Sequence, residues 1–211
     1  MMMGQTSYPP APSTQAIAVV SPQFCAPYPV DLTITEKTFS ITDGDYAVTD
    51  INGNIVFKVK GKLLSLRDKR VLLDAAGNPI VTLQQKVLSA HRRWRAYRGD
   101  STDSKHLLFS VKKASLIQMF KTQLDVFLAS NTSEHACDFH IKGSFFERSC
   151  TIYHGNSNVI VAQMSKRYTA KNIVLGKDAF GVTVYPNVDY AFIIALIVML
   201  DEINKDRDGR D

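Results

Sequence analysis

His135, Cys137 and His140 bring three metal-ligating side chains into a short stretch of chain. Zinc sites use such imidazole and thiolate donors, but the donors must converge on one tetrahedral ion. If Cys137, Phe139 and Ile141 line one face of a strand, alternation points Cys137 and His140 to opposite faces. On this reading the trio is not a metal site, and no metal or other cofactor is expected. With Cys25 and Cys150 the cysteines number three, and no Cys-x-x-Cys occurs. An odd, unpaired set argues against a disulfide framework or structural zinc, and for idle thiols in a reducing compartment. No His-Glu-x-x-His, Gly-x-Ser-x-Gly or Walker sequence is present, and Gly61-Lys62 lacks the upstream glycine of a phosphate loop. No catalytic residue is assigned and the chain is expected not to be an enzyme. A site dispersed along the chain is the remaining enzymatic alternative.

The stronger chemical signal is basic. Between Lys58 and Lys121 there are 15 Lys or Arg and 4 Asp or Glu, a balance of +11 in a chain whose net charge is +5. Lys58, Lys60 and Lys62 alternate with Phe57 and Val59, and Arg93 and Arg95 alternate with Trp94 and Ala96; Arg92 and Arg98 flank the second set. Convergent cations of this kind suit anionic lipid headgroups, each contributing about 1 kcal/mol near an anionic leaflet. Nucleic acid would use the same charges, but few aromatics accompany them and no groove-reading helix is evident. The alternative is a plain solvated strand surface.

The elements that must carry these residues read as β. Period-2 alternation marks Val56–Lys62 as a half-buried strand. Asp50-Ile51-Asn52-Gly53-Asn54 is echoed 24 residues later by Asp74-Ala75-Ala76-Gly77-Asn78, with a looser copy at His154-Gly155-Asn156. Glycine supplies positive φ and Asp and Asn bond local backbone, so each copy reads as a hairpin turn. Further candidate strands, among them Arg92–Arg98, Cys137–Lys142 and Phe180–Tyr185, make about twelve in a meander. The end differs. Tyr190 to Leu200 is an unbroken apolar run of 11 residues, too short to span a bilayer, which takes about 20. A helix apolar on every side must be covered on every side, and a sheet closed around it does so while leaving no edge. Residues 1–29, rich in proline, read as a flexible arm. The barrel domain is placed at 30–205 with its helix at 188–204, and 206–211 as a charged tail. The N-terminus lacks the pattern of a secretory signal, so the sequon at Asn131 is not expected to be used.

The Asp-x-x-Gly-Asn hairpins, Arg92-Arg93-Trp94-Arg95, and the block Asp178-Ala179-Phe180-Gly181, Tyr185-Pro186 and Asp189 with its helix resemble the plant LURP-one-related family. The likeness runs from about Val30 to Asn204, and the C-terminal block also looks like that of phospholipid scramblases. The resemblance implies a tubby-like fold, a closed antiparallel barrel of about 12 strands around a hydrophobic C-terminal helix. It implies a non-enzymatic, membrane-tethered regulatory protein with a link to plant defence. Anionic phospholipid is the expected partner, a protein scaffold without lipid contact the alternative, and nucleic acid is disfavoured. A monomer is expected, intracellular and cytoplasmic, with peripheral attachment to the plasma membrane and nuclear shuttling as options. Calcium is not expected, because Asp178 and Asp189 are too isolated to form an oxygen-ligand loop.

Overall fold

Alternating burial drives the architecture. In β3 (Ile55–Gly61) Phe57 and Val59 are buried while Lys58 is half-buried and Lys60 exposed, as the period of an extended chain requires. The same alternation marks β1 (Val30–Glu36), β2 (Tyr46–Thr49), β9 (Phe139–Ser144) and β10 (Ser149–His154). Runs of three or more buried residues occur in β4 (Lys69–Asp74), β5 (Pro79–Lys86), β7 (Leu107–Lys113) and β12 (Ala179–Val184), and β6 (Arg93–Arg98), β8 (Thr122–Leu128) and β11 (Ile160–Lys166) complete the set. A single α-helix follows among the described residues, α1 (Tyr190–Asp208). The computed structural model describes residues 15–36, 46–61, 69–86, 93–113, 122–144, 149–166 and 179–208.

Each strand pairs antiparallel with its sequence neighbours, and β1 pairs with β12 to close the barrel. The repeated turns work as expected. Gly53, Gly77 and Gly155 take positive φ of 85°, 98° and 56°. Asp50 accepts from the backbone of Asn52 and Asn54 and from the Asn54 amide, and Asp74 is bound likewise by Asn78. The asparagine side chains hold both carboxyls below the usual carboxylate range. A register shift precedes each turn, at Val48/Thr49, Leu72/Leu73 and Ile152/Tyr153, so the three hairpins share one bulged geometry.

The helix fills the barrel. From Ala191 to Leu200 no side chain is more than 2% exposed. Ile193, Ile194, Leu196, Ile197 and Leu200 are all buried although they surround the axis, as the 100° step per residue demands. Phe192 packs edge-on against Phe109 at 5.0 Å and beside Phe139 at 4.9 Å. The helix runs further than expected, to Asp208, and starts at Tyr190 because Asp189 caps it: its Oδ1 accepts from the Phe192 amide at 3.0 Å. No helix among the described residues is long and apolar enough to cross a membrane.

The far end of the helix carries charge into the barrel. Asp201 and Glu202 are 4% and 5% exposed. The Tyr46 hydroxyl donates to Asp201, and Arg70 Nη2 lies 2.8 Å from Glu202 Oε2. Arg70 pairs in register with buried Leu83, which places it on the inner face. Burial and the two acids push the Tyr46 hydroxyl pKa strongly upward.

The flexible arm expected over 1–29 is corrected where the chain is described. Residues 15–29 seat over the mouth where the helix begins. Ile17 bridges Val188 and Cys25 bridges Asp189. Val20 is 3% exposed, and Phe24 meets the rings of Phe57 at 5.6 Å and Tyr190 at 5.4 Å. Asp189 Oδ2 accepts from the amides of Val19, Val20 and Ser21 at 2.7–3.1 Å. Prolines are compatible with this path because the bonds go to neighbouring residues that retain an N–H. Residues 1–14 lie outside the described residues.

Candidate functional site

The +11 segment from Lys58 to Lys121 contributes β3 to β7, five adjacent staves of the barrel. Because the topology is a meander, charge clustered in sequence becomes charge clustered on one half of the molecule. The strand registers turn Lys58 and Lys60 outward on β3, Lys69 on β4, Lys86 on β5, and Arg93 and Arg95 on β6. Lys69 lies opposite Gln84, Gln84 opposite Arg95, and Lys86 opposite Arg93. The inward neighbours Trp94 and Ala96 are fully buried.

The structure divides the seven cations singled out in the sequence. Lys60 is exposed, and Lys58, half-buried, donates to the Ala75 carbonyl at 3.0 Å. Arg95 is half-buried, with its Nε enclosed and unbonded. Arg93 is engaged internally. Its guanidinium grips Glu134 with both ends, at 2.5 and 2.8 Å, the fork geometry that favours arginine over lysine. Lys112 joins at 3.5 Å from the same carboxylate, with its ammonium 4.4 Å from the Phe127 ring centre. The Arg93 hydrogen bonds hold the Glu134 carboxyl below its ordinary value, and Glu134 in turn raises the Arg93 guanidinium. Arg98 closes the hairpin-side mouth, donating to the Val20 carbonyl at 2.6 Å. Lys62 and Arg92 lie outside the described residues. No local pattern announced Glu134, which arrives on the 129–138 loop in a left-handed conformation, φ 51°.

A second site gathers what the sequence reading had separated. β9 begins at Phe139, so Cys137 belongs to the preceding loop and is not bound by strand alternation. The loop is tied down by Asp138, whose amide donates to Val126 O at 2.9 Å and whose Oδ2 accepts from Leu128 N at 2.8 Å. Cys137 therefore comes to the same side as His140, and Asp125 joins them from β8, directly opposite His140 in register. One donor atom from each lies within 4.8 Å of the others. His135 is not part of this group. His140 Nδ1 is 2.6 Å from Asp125 Oδ1, and its Nε2 is buried with no hydrogen-bond partner. The Cys137 thiol donates to Asn156 Oδ1 at 3.3 Å. Burial, then the Asp125 carboxylate, push that thiol pKa up. Two groups with anionic forms thus face one another across an imidazole.

Comparison with known proteins places the chain. A profile described as LURP-one-related matches residues 30–201, from β1 into α1. Protein LURP-one-related 10 of Arabidopsis thaliana is 56% identical over 190 residues, covering 90% of this chain and 98% of that protein. Protein LURP-one-related 15, from the same plant, is 54% identical over 197 residues, covering 93% and 90%. Protein LURP1 of Arabidopsis thaliana is 46% identical over 191 residues, covering 90% and 92%. An X-ray structure of an Arabidopsis thaliana protein superimposes with a TM-score of 0.71 at 49% identity, over 89% of this chain and 98% of that one. The chain belongs to the LURP-one-related family.

Proposed function

We propose that this protein is a non-enzymatic regulatory module that attaches peripherally to anionic membranes through the basic half of its barrel. The observation that carries the reading is that the segment Lys58–Lys121, +11 in sequence, supplies five adjacent staves, β3 to β7, whose registers turn Lys58, Lys60, Lys69, Lys86, Arg93 and Arg95 outward. Phosphoinositide headgroups reward several cations on one surface, each adding about 1 kcal/mol. The cations available for such contact are Lys58, Lys60 and Arg95; Arg93 and Arg98 act mainly in holding the fold. A role in plant defence is what the family resemblance implies, and membrane attachment gives such a regulator a place to act.

The test is co-sedimentation with phosphatidylcholine vesicles, with and without phosphatidylinositol bisphosphate. Wild-type protein should pellet only with the phosphoinositide, and added salt should release it. Lys60→Glu combined with Arg95→Glu should weaken binding at least ten-fold. Wild-type protein that stays in the supernatant at low salt rules the reading out.

A protein-docking role has its own support. Tyr28, Ile51, Ile55 and Val159 are large apolar side chains left 38–76% exposed, and all four lie at the hairpin-side mouth. Lys60 and Arg95 lie further along β3 and β6 from that mouth, so the two roles are separable by mutation.

A further inference from the structure

We propose that Asp125, Cys137 and His140 form a binding site for a single divalent cation of the zinc type, on the outer face of the barrel. Two observations converge. The donor atoms of the three residues lie within 4.8 Å of one another. On a shared tetrahedral ion with bonds of 2.0–2.3 Å, ligand atoms stand about 3.3–3.8 Å apart, so side-chain rotation alone can close the remaining gap. The scaffold is also preorganised: Asp125 and His140 are cross-strand partners, and Asp138 anchors the loop that delivers Cys137.

The second observation is a contact already made inside the cluster. His140 has a side chain only 12% exposed, and its Nδ1 stands 2.6 Å from Asp125 Oδ1, so an ion seated at Nδ1 finds an oxygen donor already beside it.

On binding, a divalent cation takes the place of the Cys137 thiol proton, which passes to buffer, and leaves a metal-bound thiolate beside imidazole and carboxylate. A sulfur, nitrogen and oxygen set selects Zn2+ or Co2+ over Mg2+ or Ca2+. Asn156 Oδ1, 3.3 Å from the thiol, offers a fourth donor. His140 and Asn156 also line a groove of about 360 Å3, so the ion would stand at the edge of a space open to a small ligand.

The experiment titrates the full-length, chelator-treated and reduced protein with Co2+ alone. One equivalent should produce the near-ultraviolet thiolate charge-transfer band together with the visible bands of tetrahedral cobalt, and Zn2+ should bleach both. Cys137→Ser should lose the charge-transfer band, and His140→Ala and Asp125→Asn should each weaken uptake at least about ten-fold. Thermal unfolding of the variants checks that they remain folded, and Zn2+ should raise the Tm of wild type but not of His140→Ala. The wild-type titration stands even if a variant fails to fold. Absence of the band in wild type, or its persistence in folded Cys137→Ser, overturns the site.

Discussion

The carboxylate of Asp189 is shared between two elements. Oδ1 caps α1 at the Phe192 amide, while Oδ2 accepts from three successive amides of the N-terminal segment. The residue is fully buried, and burial pushes its carboxyl up against four N–H groups that hold the charge. Asp189→Ala strips the cap and leaves several enclosed donors unpaired. Loss of a cap costs about 1 kcal/mol and each orphaned buried donor about 1–3 kcal/mol. Urea unfolding should therefore show a loss of about 3 kcal/mol or more, and a loss below about 1 kcal/mol would contradict the assignment. Glu134 makes a separate, pH-dependent contribution. Its folded carboxyl lies below the ordinary glutamate value of 4.5, chiefly through Arg93. A depressed acid stabilises the fold above its unfolded pKa, and that stabilisation fades as pH falls through the folded value. Glu134→Gln should lower stability at neutral pH by about 1 kcal/mol and leave it nearly unchanged at low pH, which unfolding curves at two pH values would read directly. Neither residue could be assigned its partner in advance. Val20 and Asp189 are separated by 169 positions, and Arg93 and Glu134 by 41.

The helix and the N-terminal segment show which elements sequence physics specifies and which it does not. An apolar run with no polar side states its own environment, and α1 is enclosed as the circumference argument requires. Ile194→Ala or Ile197→Ala should cost about 2–5 kcal/mol, and Ile197→Asp should prevent folding, because the charge would have neither partner nor water. Soluble, cooperatively folding Ile197→Asp would show that the helix is not in the barrel. Residues 15–29 gave the opposite lesson. Their prolines and small residues carry no period, so composition suggested a free arm, yet Val20 and Phe24 pack and the backbone bonds to Asn187 and Asp189. Deleting residues 1–28 should thus destabilise the domain by more than about 2 kcal/mol, measured by thermal or urea unfolding; an unchanged midpoint would return the segment to the role of a tail. Cys137 failed for a related reason. Its apparent place in a strand came from alternation with Phe139 and Ile141, but alternation holds only where the ladder holds, and β9 starts two residues later.

At the scale of the molecule, the barrel is a device for converting order in sequence into order in space. Every stave lies beside its chain neighbour apart from the closing pair of β1 and β12, so a run of basic residues becomes a basic half. The same topology explains why only part of the candidate surface was readable. Which cations face outward follows from alternation, as Lys58, Lys60, Arg93 and Arg95 do. Which of them are already occupied depends on loops that fold back over the sheet, as Glu134 does to Arg93, or on a mouth closed from elsewhere, as Val20 does to Arg98. The most direct measurement holds net charge constant and moves only its position. One variant reverses Lys60 and Arg95 on β3 and β6; a second reverses Lys142 on β9 and carries Gln163→Glu and Ser165→Glu on the outward phase of β11, across the barrel. Both lose the same charge, and binding of each to phosphoinositide-containing vesicles is compared with wild type at matched salt. The β3/β6 variant should lose at least ten-fold in affinity while the β9/β11 variant keeps most of its binding. Equal losses in the two, or none in either, would contradict a membrane-facing basic half.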